Sequence, residues 1–486
     1  MAKYKIAWMP GDGVGNDVME AARLVLDRMK LDAEYVPCDI GWEFWCKEGN
    51  ALPDRTVKAL KDTTCALFGA ITSKPQDKAK EELSPELQGK GLSYFSPIVG
   101  LRQLFHLHTN MRPCKSYPGN PLNYRGNKIT NPSGEDVPID QVVFRENTEG
   151  MYGGVEFFPL PEAVYTALCA NPKMKKWKDK AKEELSAELR GKGLSYFSPI
   201  VGLRQLFNLH TNMRPCKSYP GNPLNYRGNK ITNPSGENVP IDQVVFRENT
   251  EGMYGGVEFF PLPESVYTAL CANPKMKKWK DKGLENVALS TRIMSVQGCT
   301  NICKEAFEYA KKTGRKRVTL IEKPNVLRET GGLMTRCFRD VAKGYPDIWS
   351  DEVNIDAICM WMFKNPQDYS VLVAENMFGD IVSDLCAGLV GGLGFAPSAN
   401  LGDNYAVFEP THGSAPKYAG QYKVNPIAML LTVKLMFDWL KENEMAKRLE
   451  SAIARVIADG KVRTYDMGGN ASTLDVAKAI ADYATA

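Results

Sequence analysis

The sequence predicts an α/β protein, and three observations carry that prediction. Short apolar runs of strand length alternate with longer stretches whose apolar residues fall at helical spacing. Gly, Pro and Asn punctuate the boundaries between them. The chain of 486 residues, 43% apolar, is long enough to bury a large core.

The first such unit is Lys5-Ile6-Ala7-Trp8-Met9, a buried-strand pattern. Pro10-Gly11-Asp12-Gly13-Val14-Gly15 follows it, and then Val18, Ala22, Val25, Leu26 and Met29 at helical spacing. The glycines read GxGxG and not GxGxxG, which argues for a tight strand-to-helix connection and against a Rossmann dinucleotide fold. Further along, Arg317-Val318-Thr319-Leu320-Ile321, Ile355-Asp356-Ala357-Ile358 and Ser370-Val371-Leu372-Val373-Ala374 read as short buried strands. Helices are expected around Thr300 to Lys311 and Gly332 to Ala342. Asn425-Pro426 is a helix start, with Asn capping and Pro at the first helical position. The run from there to Leu440 is apolar on nearly every side, as for a helix in a core or a subunit interface. Alternation of this kind is the mark of α/β architecture.

With 61 basic and 57 acidic residues the formal charge is only +4, which gives no global field for nucleic acid or anionic lipid. No apolar run approaches the ~20 residues that cross a bilayer, and the start is too short for a signal-peptide core. A soluble, cytoplasmic protein is the expectation. Twelve cysteines without a CxxC pair suggest reduced thiols, Cys299 and Cys303 lying one helical turn apart. The four histidines are His106, His108, His210 and His412, too few for a His-rich zinc centre. A catalytic metal would then be a hard ion on carboxylates, magnesium or manganese.

A near-identical internal duplication is the most unusual feature. Residues Asp77 to Lys178 recur as Asp179 to Lys280, with five differences: Pro85/Ala187, Gln88/Arg190, His106/Asn208, Asp136/Asn238 and Ala163/Ser265. Solenoid repeats are shorter and diverge, so this is a recent or engineered tandem duplication. The joint from Lys173 to Glu184 is a charge run, read as a solvated helix or linker.

Glu375-Asn376-Met377-Phe378-Gly379-Asp380-Ile381-Val382-Ser383-Asp384 is the strongest local chemical signal. Asp380 and Asp384, four apart beside an apolar stripe, would share one face of a helix opening. Two oxygens at that spacing can ligate a divalent cation, and they can equally be acids favoured by the helix dipole. Both readings stand on spacing alone.

Three long motifs in order, FRENTEGMY at Phe144 to Tyr152, ENMFGDIVSD, and EPTHGSAPKYAG at Glu409 to Gly420, resemble the signatures of the β-decarboxylating dehydrogenases. That family includes isocitrate, homoisocitrate, 3-isopropylmalate and tartrate dehydrogenases. PGDGVG, SPIVGLR at Ser96 to Arg102, MRP at Met111 to Pro113 and YDMGGNAST at Tyr465 to Thr473 are similar to it as well. The resemblance implies a two-domain isocitrate/isopropylmalate dehydrogenase-like fold, not Rossmann. Its large domain would be 1–107 and 391–486, its small domain 108–150 and 284–390, and its clasp-like segment 151–178, with 179–280 the duplicate of 77–178.

Carried over by position, the resemblance implies that Ser96, Arg102, Arg112 and Arg145 bind substrate carboxylates. Guanidinium suits that task because it offers a bidentate fork. Lys323 would assist removal of the hydroxyl proton, and Tyr152 would protonate the carbon left by carbon dioxide. Asp356, Asp380 and Asp384 would hold magnesium or manganese. In the family the positions of Lys323 and Asp356 reach across from a partner subunit, so a homodimer is expected, altered or internalised by the duplication. Ser198, Arg204, Arg214, Arg247 and Tyr254 are the duplicate twins of the substrate-binding set and the tyrosine. Thr72, His412, Gly413, Lys417, Tyr418 and Asn425 match positions near the cofactor. Lys417-Tyr418 resembles the pair that meets the 2′-phosphate of NADP, while Gly469 stands where some NADP-linked relatives carry Arg, so NAD stays open. The implied reaction is isocitrate to 2-oxoglutarate and carbon dioxide with reduction of NADP. The alternatives are NAD-linked homoisocitrate or 3-isopropylmalate dehydrogenase and, from another class, a non-catalytic or regulatory subunit or a chain whose duplication alters assembly.

Overall fold

A computed structural model describes residues 2–28, 30–72, 76–92, 94–105, 107, 109–115, 123–146, 157, 161, 163–164, 167, 203–204, 206–254, 256–403, 406–412, 418 and 421–485. The chain divides into two units, one of Met1–Pro113, Val142–Val155 and Pro324–Arg328, the other of Cys114–Gln141, Glu156–Lys323 and Glu329–Ala486.

In the first unit β1 (Tyr4–Gly11) leads through the glycine turn into α1 (Val14–Arg28), as the sequence predicts. With β2 (Ala33–Pro37) and β3 (Cys65–Ala70), β1 forms a parallel sheet of order β2-β1-β3. The turn is not an open phosphate cradle. The Asp12 carboxylate accepts from the backbone N–H groups of Trp42 at 2.7 Å and Thr72 at 2.9 Å, so it caps the helix α2 (Trp42–Glu48) from outside. Two further helices are α3 (Asp54–Lys61) and α4 (Gln76–Glu81). The opening of the first copy completes this unit: Ala79, Leu83 and Tyr94 pack on Trp42 and Trp45. Leu101 of α5 (Pro97–Leu104) packs with Ala7, Met9 and Ile40. The first copy's strands β4 (Thr109–Lys115) and β5 (Asp140–Glu146) pair with each other in a two-stranded sheet, and among the described residues with no other strand.

The second unit is built on a seven-stranded sheet of order β11-β10-β12-β7-β6-β13-β14. Here β6 (Thr211–Lys217) and β7 (Asp242–Glu248) come from the second copy. The other strands are β10 (Arg317–Glu322), β11 (Trp349–Asn354), β12 (Val371–Ala374), β13 (Pro397–Leu401) and β14 (Ala406–Pro410). Strands β11, β10, β12 and β7 run parallel, and the β7-β6-β13-β14 edge is antiparallel. The Val/Leu/Ile runs of β10 and β12 are buried along their length because helices cover both faces. A small two-stranded sheet, β8 (Glu258–Phe259) with β9 (Leu289–Ser290), and the helix α6 (Glu264–Leu270) lie at the end of the second copy and just beyond it.

On one face, α7 (Val296–Thr313) and α8 (Thr330–Ala342) bury Ile302, Phe307, Met334 and Phe338 against Phe246, Val318 and Val371. Cys299 and Cys303 are buried thiols within this core, as expected, and burial pushes both up. On the other face lie α9 (Ile355–Lys364) and α10 (Asn376–Val390). A second core joins α11 (Ile427–Trp439), α12 (Asn443–Asp459) and α13 (Thr473–Thr485) through Leu431, Ile453, Val456 and Ile480. Asn425 caps α11 as predicted, its Oδ1 accepting from Ile427 N–H at 3.0 Å.

One element differs from the prediction. Ile355-Asp356-Ala357-Ile358 is not a strand but the first turn of α9; the strand is the preceding Trp349–Asn354. Four residues cannot distinguish the two periods; what distinguishes them is that Ile358 and Met362, four apart, are both buried on one helix face. The charge run Lys173 to Glu184 lies outside the described residues. Among the described residues no helix is long and apolar enough to cross a membrane.

Candidate active site

The sheet's pleat builds the site. Arg214 on β6 and Arg247 on β7 point to the face covered by α10, while their neighbours Met213 and Phe246 pack toward α7. The helix comes close because residue 379 is Gly: a Cβ there would lie 2.7 Å from the Arg247 side chain. Glu375 begins the helix, its Oε1 accepting from Phe378 N–H at 2.8 Å. Asp380 and Asp384 then emerge one turn apart.

Asp380 is the hub. Its Oδ1 accepts from Arg214 Nη1 at 2.9 Å and Arg247 Nη1 at 2.6 Å, and its Oδ2 accepts from the Tyr254 hydroxyl at 2.9 Å. Arg214 Nη1 also donates to Ser383 at 2.7 Å and lies 3.4 Å from Asp384. The rest of the Arg247 fork donates to Asn376 Oδ1 at 3.0 and 2.7 Å, and its guanidinium stands 5.1 Å from the Tyr254 ring centroid. Arg204 is buried beside this group, donating to Asn400 at 3.1 Å and facing Glu409 at 3.5 Å.

The electrostatics are those of a cation-rich cluster. Burial, reinforced by Arg214, brings Arg247 down to about 10, still charged near neutrality. Burial would raise Asp380, but Arg247 and Arg214 outweigh it and hold the carboxyl below its usual range. Asp384 is raised, because burial and the neighbouring Asp380 outweigh Arg214 at 3.4 Å and Arg247. Tyr254 is raised by burial and by its bond to Asp380, so its proton is held at neutral pH.

Lys323, at the end of β10, donates to Asp356 Oδ1 at 2.5 Å. Burial of Asp356 is outweighed by Lys323, and its carboxyl is lowered. Among the described residues no three His, Cys, Asp or Glu side chains converge to hold a metal, so a single chain brings Asp380 and Asp384 together but not Asp356 with them. Behind Lys323 the buried Arg292 pairs with Glu322 at 2.9 Å and faces Glu375 at 3.7 Å.

Ser96 and Arg102 lie in the first unit, at the start and within the last turn of α5. Thr72 donates its N–H to Asp12. His412 is exposed, and Tyr418 stacks loosely with Tyr465 at 6.0 Å. Asn425 is committed to its cap and to Asp466 at 3.1 Å. Arg112 and Arg145 lie on β4 and β5, but their side chains, together with Tyr152, Ser198, Gly413 and Lys417, lie outside the description. Sequence reasoning missed Asn376 and Ser383 as arginine partners, although both stand inside the ENMFGDIVSD motif. It also missed Asn400 and the Glu322–Arg292–Glu375 cluster, which no local pattern marks.

Arginines on two adjacent strands grip a helix bearing paired aspartates, and the class is that of the isocitrate/isopropylmalate dehydrogenase family, to which the chain belongs: the family's model matches residues 5–167 and 185–480. Among its relatives, protein DlpA of Legionella pneumophila is 33% identical over 479 residues, 99% of this chain, and this chain spans 58% of DlpA's length. A 3-isopropylmalate dehydrogenase of Archaeoglobus fulgidus is 31% identical over 98% of each chain. The catalytic subunit 5 of the mitochondrial NAD isocitrate dehydrogenase of Arabidopsis thaliana is 42% identical over 60% of this chain and 69% of its own. The crystal structure of isocitrate dehydrogenase from Methylococcus capsulatus superposes with a TM-score of 0.52 at 26% identity, covering 99% of this chain and 100% of that one.

Proposed function

We propose that the cluster around Asp380 oxidises and decarboxylates a 2-hydroxy acid, isocitrate to 2-oxoglutarate and carbon dioxide, with reduction of NADP. One observation carries the reading: Arg214, Arg247, Tyr254, Asp380 and Asp384 converge through hydrogen bonds and ion pairs of 2.6–3.4 Å. Guanidinium forks so placed bind the carboxylates of a polycarboxylic acid. Tyr254, its proton held at neutral pH, is the acid that returns a proton to the substrate carbon after carbon dioxide leaves.

Asp380 and Asp384 suit a hard divalent ion. Both are carboxylates on one helix face, their side chains 32% and 55% exposed, and magnesium or manganese completes its shell with water and substrate oxygens. When bound, the ion supplies stabilisation of negative charge on the substrate oxygens. Lys323 assists removal of the hydroxyl proton, its ammonium group held by Asp356 at 2.5 Å. Both act, in this reading, across a dimer contact, as the family resemblance implies.

A second substrate reading, NAD-linked 3-isopropylmalate oxidation, is favoured by the full-length match to a relative of that name. A panel of isocitrate, homoisocitrate, 3-isopropylmalate and tartrate against NADP and NAD, with magnesium or manganese, tests both. Turnover of isocitrate with NADP is expected. Turnover of 3-isopropylmalate alone transfers the site to the second reading, and no turnover on any of the four overturns the enzyme assignment.

A further inference from the structure

The two copies touch each other, and they do so through the same segment. Residues 123–139 of the first copy and 225–241 of the second have one internal architecture. Asn131 Nδ2 donates to Arg125 and Glu135 carbonyls as Asn233 Nδ2 does to Arg227 and Glu237. Ser133 and Ser235 donate to Asn131 and Asn233, each at 3.0 Å.

The contact between them obeys a two-fold rule. Arg125 donates to the Asn233 carbonyl at 2.6 Å, and its twin Arg227 donates to the Asn131 carbonyl, the twin acceptor, at 3.0 Å. Lys128 faces Glu237 at 3.9 Å, while its twin Lys230 faces not Glu135, the twin of Glu237, but the next residue Asp136 at 3.3 Å, so the ion pairs follow the rule to within one residue. The Arg125 head lies over Gly236 and the Arg227 head over the twin Gly134. Tyr124 stacks on its own twin Tyr226, with rings 6.2 Å apart and 16° from parallel. In an isologous contact residue i meets j while j meets i, and only a residue on the axis meets its own equivalent. Both arginines are buried, 5% and 6% exposed, with backbone carbonyls of the other copy as acceptors.

We propose that this segment is a self-complementary docking surface for a second copy of itself, and that the duplication supplies that partner within one chain. The pair also bears on the candidate active site's scaffold. Phe363 near the end of α9, the helix whose first turn carries Asp356, packs edge-on against both tyrosines, and its carbonyl accepts from Tyr226.

The test is Arg125→Glu in the full chain, which breaks the first copy's side of the contact. Amide hydrogen exchange should accelerate about tenfold in both segments, as expected for loss of a buried charged hydrogen bond. Peptides spanning Asp136 and Asn238 differ in mass, so the two are read separately. The freed second segment should then pair with that of another chain, and sedimentation should show a mass rising with concentration above that of the parent. Faster exchange confined to the first segment, or an unchanged mass, would overturn the proposal. If circular dichroism shows that this variant fails to fold, Lys230→Ala serves instead: it removes only the pair with Asp136 and should accelerate exchange about twofold in both segments. Acceleration confined to the second segment refutes the pairing.

Discussion

Arg247→Ala and Arg145→Ala remove twin side chains from nearly identical sequence, and their effects should be far apart. Arg247 is buried, 3% exposed, and donates three bonds: one to Asp380 at 2.6 Å and two to Asn376 Oδ1 at 3.0 and 2.7 Å. Truncation leaves the buried Asn376 oxygen without these donors and Asp380 with a single guanidinium. A one-sided break of a buried ion pair costs about 3–5 kcal/mol; Asp380 is a third exposed, so the lower end of that range applies. The same fork is the proposed grip on substrate carboxylate, and kcat/KM should fall by at least about a hundredfold per folded molecule. Urea unfolding gives the first quantity, and steady-state NADP reduction, corrected for the folded fraction by circular dichroism, gives the second. Arg145→Ala should leave both within about twofold. Equal losses from the two variants would refute the assignment of the site to the second copy.

Tyr254→Phe should keep the fold and lower kcat by about 10²–10⁴-fold through loss of the proton donor, while Tyr152→Phe stays near the parent in rate. Glu322, raised by burial to about 6 from 4.5, favours the folded state fully below pH 4.5, and that contribution disappears as pH rises through 6. The unfolding free energy from urea titrations should therefore fall by about 2 kcal/mol across that window in the parent and lose this fall in Glu322→Gln. Asp380, held low by its arginines, slopes the other way: its contribution is present above the ordinary carboxylate range and is lost in more acid solution. Asp380→Asn should remove that acid-side loss. Lys417→Asp should weaken NADP far more than NAD, and equal losses for both would show that the residue does not meet the extra phosphate.

Much of the fold was legible because its strands are buried and its helices start on local chemistry. Val318 to Ile321 and Val371 to Ala374 are apolar for their whole length, and Asn425 caps its helix in the sequence itself. Asp356 was misread as strand because four residues carry no period, and the turn into α9 is set by Ile358 and Met362 meeting a core that no local window contains. The aspartate pair was visible as i and i+4 on one face. Its arginine partners were named only through the resemblance, since Arg214 and Asp380 are far apart in sequence and join only when β6 and α10 pack.

The division of labour between copies could not be read from sequence at all. The opening of the first copy follows the β1–β3 unit directly and packs on Trp42 and Trp45 there. The strands of the second copy lead through β8, α6 and β9 to α7 and β10, and they take the places beside β12 and β13. Chain continuity decides which copy goes where, and five scattered differences do not.

The most direct test of the central claim is the ratio of carbon dioxide released to NADPH formed from isocitrate, measured with manganese in the Arg145→Ala protein. Equimolar product formation at the parent rate is the predicted result. NADPH without carbon dioxide, or loss of both, would contradict the claim that the second copy's arginines, tyrosine and the Asp380 pair form the decarboxylating site.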